Sequence, residues 1–202
     1  MTDVAMAQEM TMVRLRTTSD FVTAEDYLAG EEIASVRHEY VDGLVYAMAG
    51  TTVRHNDIHA NILRFLLPAV RRPCRVNFND VKVECIEHDV TGFFYPDIVI
   101  SCVPAMDTRI IAAPVMILEI LSPTTEKIDR YTKFVYYARI PGFEEYVLVE
   151  QDVPRAEVFR RSNQWQREIF VAGESFRLTS IELTVNVDEI YTNIVFPAPE
   201  AA

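Results

Sequence analysis

Apolar positions recur at helical spacing in two long segments of the chain. The first runs from residue 56 to residue 70 and ends at the Arg71-Arg72-Pro73 run; it predicts an α-helix with an inward face of Ile58, Ile62, Leu63, Phe65 and Leu66. The second, from about residue 126 to residue 138, predicts a helix whose sheet-facing stripe is Ile128, Tyr131, Val135 and Ala138. Thr23, with Asp26 three residues later, predicts the cap of a shorter helix.

Shorter apolar runs predict the strands. The Asp42-Gly43 pair indicates a tight turn between two strands of a hairpin. Further strands are expected, in chain order, at 75–87, 94–102, 115–121, 145–150, 155–160 and 164–171, with two weaker ones beyond. This order of elements predicts an α/β fold of the kind that has a mixed β-sheet core flanked by helices, closed by a C-terminal β-meander.

The length and apolar share of the chain suit a single domain. With 202 residues, 50% of them hydrophobic, the chain has enough apolar surface for one sizeable core. We expect residues 1–19 to be a flexible lead-in and residues 20–195 to form the domain. No apolar run reaches the roughly 18 residues of a membrane span, so we predict a cytoplasmic protein with no membrane partner.

The three cysteines, Cys74, Cys85 and Cys102, are odd in number and form no C-x-x-C pair. This pattern indicates neither a disulfide framework nor a zinc cluster. We therefore expect each cysteine to be a small core residue of a protein in a reducing compartment.

The net charge of −11, from 30 acidic and 19 basic residues, argues against a general nucleic-acid coat protein. It is compatible with an enzyme that meets phosphate through bound metal ions and a local basic patch. Arg71, Arg72 and Arg75 are candidates for such a patch, and a solvated loop is the alternative for the same cluster.

Two carboxylates stand out because of their apolar surroundings. Glu119 lies within the run VMILEIL, on the same strand face as Ile117 and Leu121, where an unpaired charge is costly. Asp97 follows Pro96 at the start of another apolar strand. Because consecutive strands are often neighbours, we expect the two carboxylates to meet, and a hard cation such as Mg²⁺ would relieve their repulsion. Each carboxylate taken alone has an alternative interpretation. Asp97 could be a turn residue at the entry of its strand, and Glu119 could form a buried ion pair with a nearby Lys or Arg.

Lys133 follows Asp129 by four residues on the predicted second helix. One interpretation is a surface salt bridge between the two, whose removal would cost the fold little. The other is that the Lys133 side chain extends along the sheet and brings a positive charge to the two carboxylates.

Three strings follow one another between about residues 20 and 170: RHEYVDGLVYAMAGTTVRHNDI, FYPDIVISC and PVMILEILSPTTEKIDRYTKFVYYARIPGFEEYVLVE. In this order they resemble the Uma-type family of restriction-endonuclease-like proteins, which belongs to the PD-(D/E)XK nuclease superfamily. The resemblance implies a mixed sheet flanked by helices. It also implies metal-assisted hydrolysis of phosphodiester bonds, most directly those of DNA.

The resemblance assigns the metal ligands and the catalytic cation. It places Mg²⁺ or Mn²⁺ on Asp97, Glu119 and the backbone carbonyl of Ile120. The superfamily usually has a lysine two residues after the acid, where this chain has Leu121. In the Uma-type pattern the lysine comes from the following helix, and Lys133 fills that position.

Three more residues match recurring positions of the same family. Glu39 matches an acid that helps to place a second metal ion or a water molecule, and His55 matches an auxiliary polar position. Tyr137 matches another such position, for which a packed core tyrosine is the alternative.

The resemblance leaves the assembly and the activity open. A homodimer is expected, because cutting both strands of DNA needs two sites. Nuclease folds are also reused as catalytically silent modules that bind protein or nucleic acid, since a fold alone does not fix a function. In that alternative, Asp97, Glu119 and Lys133 form a structural ion-pair network. A hydrolase of a non-nucleic phosphate ester is a third possibility.

Overall fold

The computed structural model describes residues 21–48, 50–88, 90–104 and 109–196. The helices are α1 (Ala24–Ile33), α2 (Val53–Ala69), α3 (Phe134–Tyr137) and α4 (Val187–Ile190), with a π-helical turn at Ile128–Lys133 and a 3₁₀ turn at Arg161–Asn163. The strands are β1 (His38–Val41), β2 (Leu44–Ala47), β3 (Arg75–Phe78), β4 (Lys82–Glu87), β5 (Val90–Phe94), β6 (Ile98–Ser101), β7 (Ile110–Ile111), β8 (Pro114–Leu121), β9 (Glu145–Glu150), β10 (Arg155–Arg160), β11 (Glu168–Val171), β12 (Ser175–Leu178) and β13 (Leu183–Asn186).

These strands form two large sheets and one small hairpin. The larger sheet has the order β11-β10-β9-β8-β6-β3, and only β8 and β9 pair in parallel within it. The second sheet has the order β2-β1-β5-β4-β7, and β12 pairs with β13 separately. The predicted α/β class, with a mixed sheet, flanking helices and a closing meander of β9, β10 and β11, is confirmed.

The N-terminal elements follow their local sequence signals. The Thr23 hydroxyl accepts a hydrogen bond from the Asp26 backbone N–H at 3.1 Å, which caps α1. Asp42 and Gly43 both have positive φ angles, and they join β1 to β2 in the tight turn that the pair predicts.

The first predicted long helix is confirmed as α2, which begins three residues earlier than expected because Thr52 caps it. Its buried residues Ile58, Ile62 and Leu66 pack against one face of the larger sheet. The predicted basic patch lies just beyond its C-terminal end. A helix of 17 residues is about 25 Å long, so Arg71 and Arg72 are far from the N-terminal end that carries His55.

Two predicted strands have different limits in the structure. The strand expected at 75–87 is two strands, β3 and β4, in different sheets, because Asn79 and Asp80 adopt positive φ angles and turn the chain between them. The strand expected at 94–102 is shorter, since Phe94 ends β5 and only Ile98–Ser101 continues as β6. Asp97 therefore lies just before β6.

The second predicted helix differs most from its expectation. Instead of a regular helix over 126–138, a π-helical turn leads into the short α3. The predicted apolar stripe is wrong, because Tyr131 is 69% exposed and Val135 is 49% exposed. The wider turn changes which residues share a face. The buried residues of this segment are instead Asp129, Lys133, Tyr136 and Tyr137.

The prediction of free core cysteines is correct for one of the three residues. Cys85 is a free, buried core residue, as expected. Cys74 and Cys102 form a disulfide, which corrects the expectation of three free thiols. The pairing follows from topology: β3 and β6 are antiparallel with Arg75 opposite Ser101, so the residues just outside this pair face each other.

The two faces of β8 carry different cores. Met116, Leu118 and Ile120 pack with α2, whereas Ile117 and Leu121 pack with the segment that contains Tyr137. Within the described part of the chain, no helix is both long and apolar enough to cross a membrane. The predicted lead-in at 1–19 lies outside the described residues.

Candidate active site

A cleft opens where the two large sheets, the start of α2 and the π-helical turn come together. Its volume is about 320 Å³. The sequence-predicted residues His55, Asp97, Glu119 and Lys133 line it. Four separate stretches of chain therefore supply side chains to one cavity.

Asp97 and Glu119 meet because β6 and β8 are antiparallel neighbours. Ile98 lies opposite Leu118 in this pair, so the next position outward brings Asp97 to Glu119. The Asp97 backbone N–H donates to Glu119 Oε2 at 3.2 Å, and the Ile120 N–H donates to Asp97 Oδ2 at 2.7 Å. These two hydrogen bonds fix the relative positions of the carboxylates.

Lys133 is the central cation of the site. Its Nζ lies 2.9 Å from Glu39 Oε1, 3.0 Å from Asp129 Oδ1 and 3.1 Å from Glu119 Oε1. The residue is only 5% exposed. Both interpretations of the sequence hold in part, because Lys133 pairs with Asp129 and also reaches the carboxylates. The salt bridge is nevertheless buried, which corrects the expectation of a surface pair.

Glu39 comes from the other sheet. It lies on β1, and its Oε1 accepts a hydrogen bond from the Tyr95 backbone N–H at 3.2 Å as well as the ion pair from Lys133. Tyr95 also donates its hydroxyl to Glu31 at 3.1 Å. Because Tyr95 lies between β5 and Asp97 in the chain, this segment connects the two sheets at the site.

His55 and Tyr137 contact one carboxylate each. His55, in the first turn of α2, places Nε2 3.0 Å from Asp97 Oδ1. His59, one turn later, donates from Nε2 to the Asp97 carbonyl oxygen at 3.2 Å. Tyr137 donates its hydroxyl to Glu119 Oε1 at a long 3.4 Å and is fully buried among core residues. Its contact is compatible with either predicted role.

The site holds more negative than positive charge. Burial raises the pKa of the Glu119 carboxyl well above its usual range; Lys133 opposes this rise, and the charges of Asp129 and Asp97 add to it. Burial likewise raises the pKa of Glu39 against the effect of Lys133. Burial alone would lower the pKa of Lys133, but the surrounding carboxylates outweigh it and raise that pKa well above its usual value.

Oxygen donors of the kind that Mg²⁺ prefers face the cleft. In the part of the chain that the structure describes, no group of three or more His, Cys, Asp or Glu side chains could hold a metal ion. Mg²⁺ commonly takes only one or two carboxylates and keeps several waters. Asp97 and Glu119 fit that requirement, whereas they lack the nitrogen and sulfur ligands of a structural zinc site.

Several further polar residues line the cleft beside the predicted ones. The sequence indicated Asp129 only as a salt-bridge partner of Lys133, although the spacing of four residues already places both on one helical face. Ser122 accepts a hydrogen bond from the Thr125 backbone N–H, and both hydroxyls line the cleft. Two further residues of the lining contact each other, since the Thr52 hydroxyl donates to Gln151 Oε1 at 3.1 Å. The SPTT string at residues 122–125, directly after β8, was the sequence signal for the Ser122 and Thr125 hydroxyls.

Comparison with known families identifies the family of this chain. Residues 24–188 match the model of a family described as "Uma2: Putative restriction endonuclease". The chain belongs to the Uma2 family. Two proteins of Synechocystis sp. are similar to it: "Uncharacterized protein slr1290" is 29% identical over 87% of this chain and 94% of its own length, and "Uncharacterized protein sll1609" is 29% identical over 73% and 86%.

A solved structure shares the fold of this Uma2 chain. It is the crystal structure of a "putative nuclease belonging to DUF820" from Anabaena variabilis, with a TM-score of 0.69 and 19% sequence identity. The match covers 85% of this chain and 98% of the other. At this identity the likeness shows a common fold.

Proposed function

We propose that this protein is a metal-dependent endonuclease that hydrolyses phosphodiester bonds, most directly those of DNA. Membership of the Uma2 family supports the nuclease activity. The observation that carries the proposal is the meeting of Asp97 and Glu119 at the wall of a cleft, with the Lys133 ammonium 3.1 Å from Glu119.

In this proposal Asp97, Glu119 and the backbone carbonyl of Ile120 hold Mg²⁺ or Mn²⁺. Such an ion, when bound, supplies Lewis-acid polarisation of the phosphate and lowers the pKa of water. Asp97 is held for this task by the Ile120 N–H and by His55. Glu119 is held by the Asp97 N–H.

The remaining residues act on the substrate side. Lys133 orients the attacking water and donates hydrogen bonds to phosphoryl oxygens as negative charge develops on them. Glu39 keeps the lysine in the cleft and helps to position water or a second cation. Tyr137, whose hydroxyl lies 3.4 Å from Glu119 Oε1, is either an auxiliary residue of the site or a packed core tyrosine.

One feature favours the alternative, a catalytically silent binding module. Lys133 has ion-pair partners in three carboxylates, and each of the four oxygens of Asp97 and Glu119 has a polar contact. Such a network can also serve only the fold. The two functions differ in whether the intact protein turns over a substrate, so a cleavage assay separates them.

The experiment is a cleavage assay with DNA and RNA substrates in Mg²⁺ or Mn²⁺, beside EDTA. Asp97→Ala is the test variant and Asp188→Ala, an exposed residue of α4 outside the cleft lining, is its matched control. We expect cleavage of DNA by the wild type and the control only with metal. Activity that persists unchanged in EDTA or in Asp97→Ala would rule out the proposal. Cleavage of RNA or of a simple phosphate ester instead would correct the substrate.

The proposal includes a homodimer and a cytoplasmic location, both carried from the sequence. Cutting both strands of a duplex needs two sites, and two copies of the chain would supply two clefts of this kind. Sedimentation of the purified protein at several concentrations tests the dimer.

A further inference from the structure

Asp129 occupies an unusual place in the cleft. It is 2% exposed, lines the cavity beside Lys133, and its Oδ1 lies 3.0 Å from Lys133 Nζ without an aligned hydrogen bond. A buried carboxylate oxygen without a hydrogen bond is costly, so its position calls for a physical reason.

The segment that carries Asp129 is firmly attached to the sheet. The buried Tyr146 of β9 donates its hydroxyl to the Asp129 carbonyl oxygen at 2.9 Å. The next residue, Arg130, donates to Glu126, Glu150 and Glu157 at 2.5–2.7 Å. The contacts with Tyr146, Glu150 and Glu157 attach the π-helical turn to β9 and β10, so the backbone at Asp129 is held in place before any substrate arrives.

The donors of Lys133 are limited. An ammonium has three N–H groups, and three carboxylates surround this one at 2.9–3.1 Å. Crowding by three carboxylates shields the ammonium, so a phosphoryl oxygen or an attacking water reaches it most readily when one of them moves away. Glu119 differs from the other two because its second oxygen accepts a hydrogen bond from the Asp97 backbone N–H, which places it beside the other proposed metal ligand.

We propose that Asp129 is a positioning residue of this site: with Glu39 it holds the Lys133 ammonium in the cleft, so that Glu119 is the carboxylate that leaves the lysine to bind the cation. This inference rests on the proposed nuclease function and deepens it. Asp129 touches neither substrate nor metal in this account, and its effect passes entirely through Lys133.

Asp129→Asn separates this positioning role from a purely structural one. The change keeps the shape of the side chain and removes one negative charge from a cluster in which three carboxylates surround one ammonium. The melting temperature should therefore stay the same or rise. Lys133, however, loses one of the two carboxylates, Asp129 and Glu39, that keep its ammonium in the cleft. Turnover should fall on the order of 10- to 100-fold, the usual cost of losing a group that orients a catalytic residue, with little change in KM.

The experiment compares Asp129→Asn with Glu189→Gln, which removes an exposed carboxylate of α4 outside the cleft lining. Melting temperature, kcat and KM on DNA are measured for both, and the pair is repeated with Lys133→Gln. We expect the Asp129→Asn loss in kcat to vanish in the Lys133→Gln protein, because effects that pass through one residue are not additive. If Lys133→Gln does not fold, the kcat, KM and melting temperature of Asp129→Asn alone decide whether Asp129 positions Lys133.

Three results would overturn the inference: wild-type kcat in Asp129→Asn, a parallel loss of kcat and melting temperature, or an equal loss of kcat in both backgrounds. A parallel loss would mean that Asp129 serves only the fold. An equal loss would mean that it acts directly. If the wild type itself neither binds Mn²⁺ nor cleaves DNA, the proposed function fails and the inference fails with it, which is a different result from an active wild type with an equally active variant.

Discussion

The Lys133 ammonium lies 3.1 Å from Oε1 of Glu119, although the two residues belong to different elements, a π-helical turn and the buried strand β8. This contact explains how a carboxylate persists within an apolar strand. It also means that the stability of the protein and its proposed chemistry depend on the same charges.

Lys133→Ala should damage both properties. We expect turnover to fall by roughly 10²-fold or more, the scale of losing one electrostatic stabiliser. We also expect a loss of about 3–5 kcal/mol in unfolding free energy near neutral pH, because buried carboxylates lose their cation. This loss in unfolding free energy is larger than the sequence predicts for a surface salt bridge between Asp129 and Lys133, because the pair is buried. Urea unfolding measures it, with Arg109→Ala, an exposed cation, as control.

The stability loss of Lys133→Ala should shrink as the pH falls. The pKa values of Glu119 and Glu39 are raised by burial, so acid neutralises these carboxyls early and removes the need for a counter-charge. A loss of the same size at acidic and neutral pH would contradict the ion-pair account of Lys133.

Glu119→Gln should stabilise the metal-free protein near neutral pH. A raised carboxyl pKa means that the folded protein holds the proton more tightly than the unfolded chain does. The resulting penalty is absent below the unfolded pKa of about 4.3 and grows as the pH rises towards the folded pKa. Gln removes it, so unfolding free energy should fall less steeply with pH in the variant. Melts in EDTA across this range, beside the exposed Glu189→Gln, measure the difference. Strong destabilisation would make Glu119 a structural ion-pair partner.

His55→Ala should lower turnover on the order of 10- to 100-fold, since a group that orients a metal ligand commonly has an effect of this size. Its side chain lines the cleft, with Nε2 3.0 Å from Asp97 Oδ1. The control is His88→Ala, whose side chain is 85% exposed. If both variants keep wild-type turnover, His55 has no part in holding Asp97.

Tyr137→Phe distinguishes the two roles left open for this residue. The 3.4 Å contact with Glu119 is long, and the ring is packed in the core. We expect the loss of the hydroxyl to change turnover less than about tenfold, whereas Tyr137→Ala should cost about 3–5 kcal/mol by leaving a cavity. A larger loss of turnover in Tyr137→Phe, at unchanged stability, would make the hydroxyl part of the site.

The meeting of Asp97 and Glu119 could be predicted because it depends on local information. Pro96 limits where the strand begins, period-2 alternation sets the face of Glu119, and neighbouring strands are often adjacent in the sheet. Antiparallel register then completes the pair.

The surroundings of Lys133 could not be predicted in the same way. Helical periodicity assumes a constant rotation per residue, and the π-helical turn breaks it, so Tyr131 is exposed while Asp129 is buried. Glu39 comes from a separate sheet, and sequence distance gives no sign of that contact; only the family resemblance indicated the residue. The Cys74–Cys102 bond likewise depends on the pairing of β3 with β6, which spacing rules do not reveal.

The proposed chemistry requires Asp97 and Glu119 to form a cation site and not merely an ion-pair network. Calorimetric titration of the purified protein with Mn²⁺ tests it most directly, because it needs no knowledge of the substrate. We predict saturable binding by the wild type and by Asp188→Asn, and loss of that binding in Asp97→Asn and in Glu119→Gln. A wild type that releases no more heat than buffer, or variants that bind as the wild type does, would contradict the account.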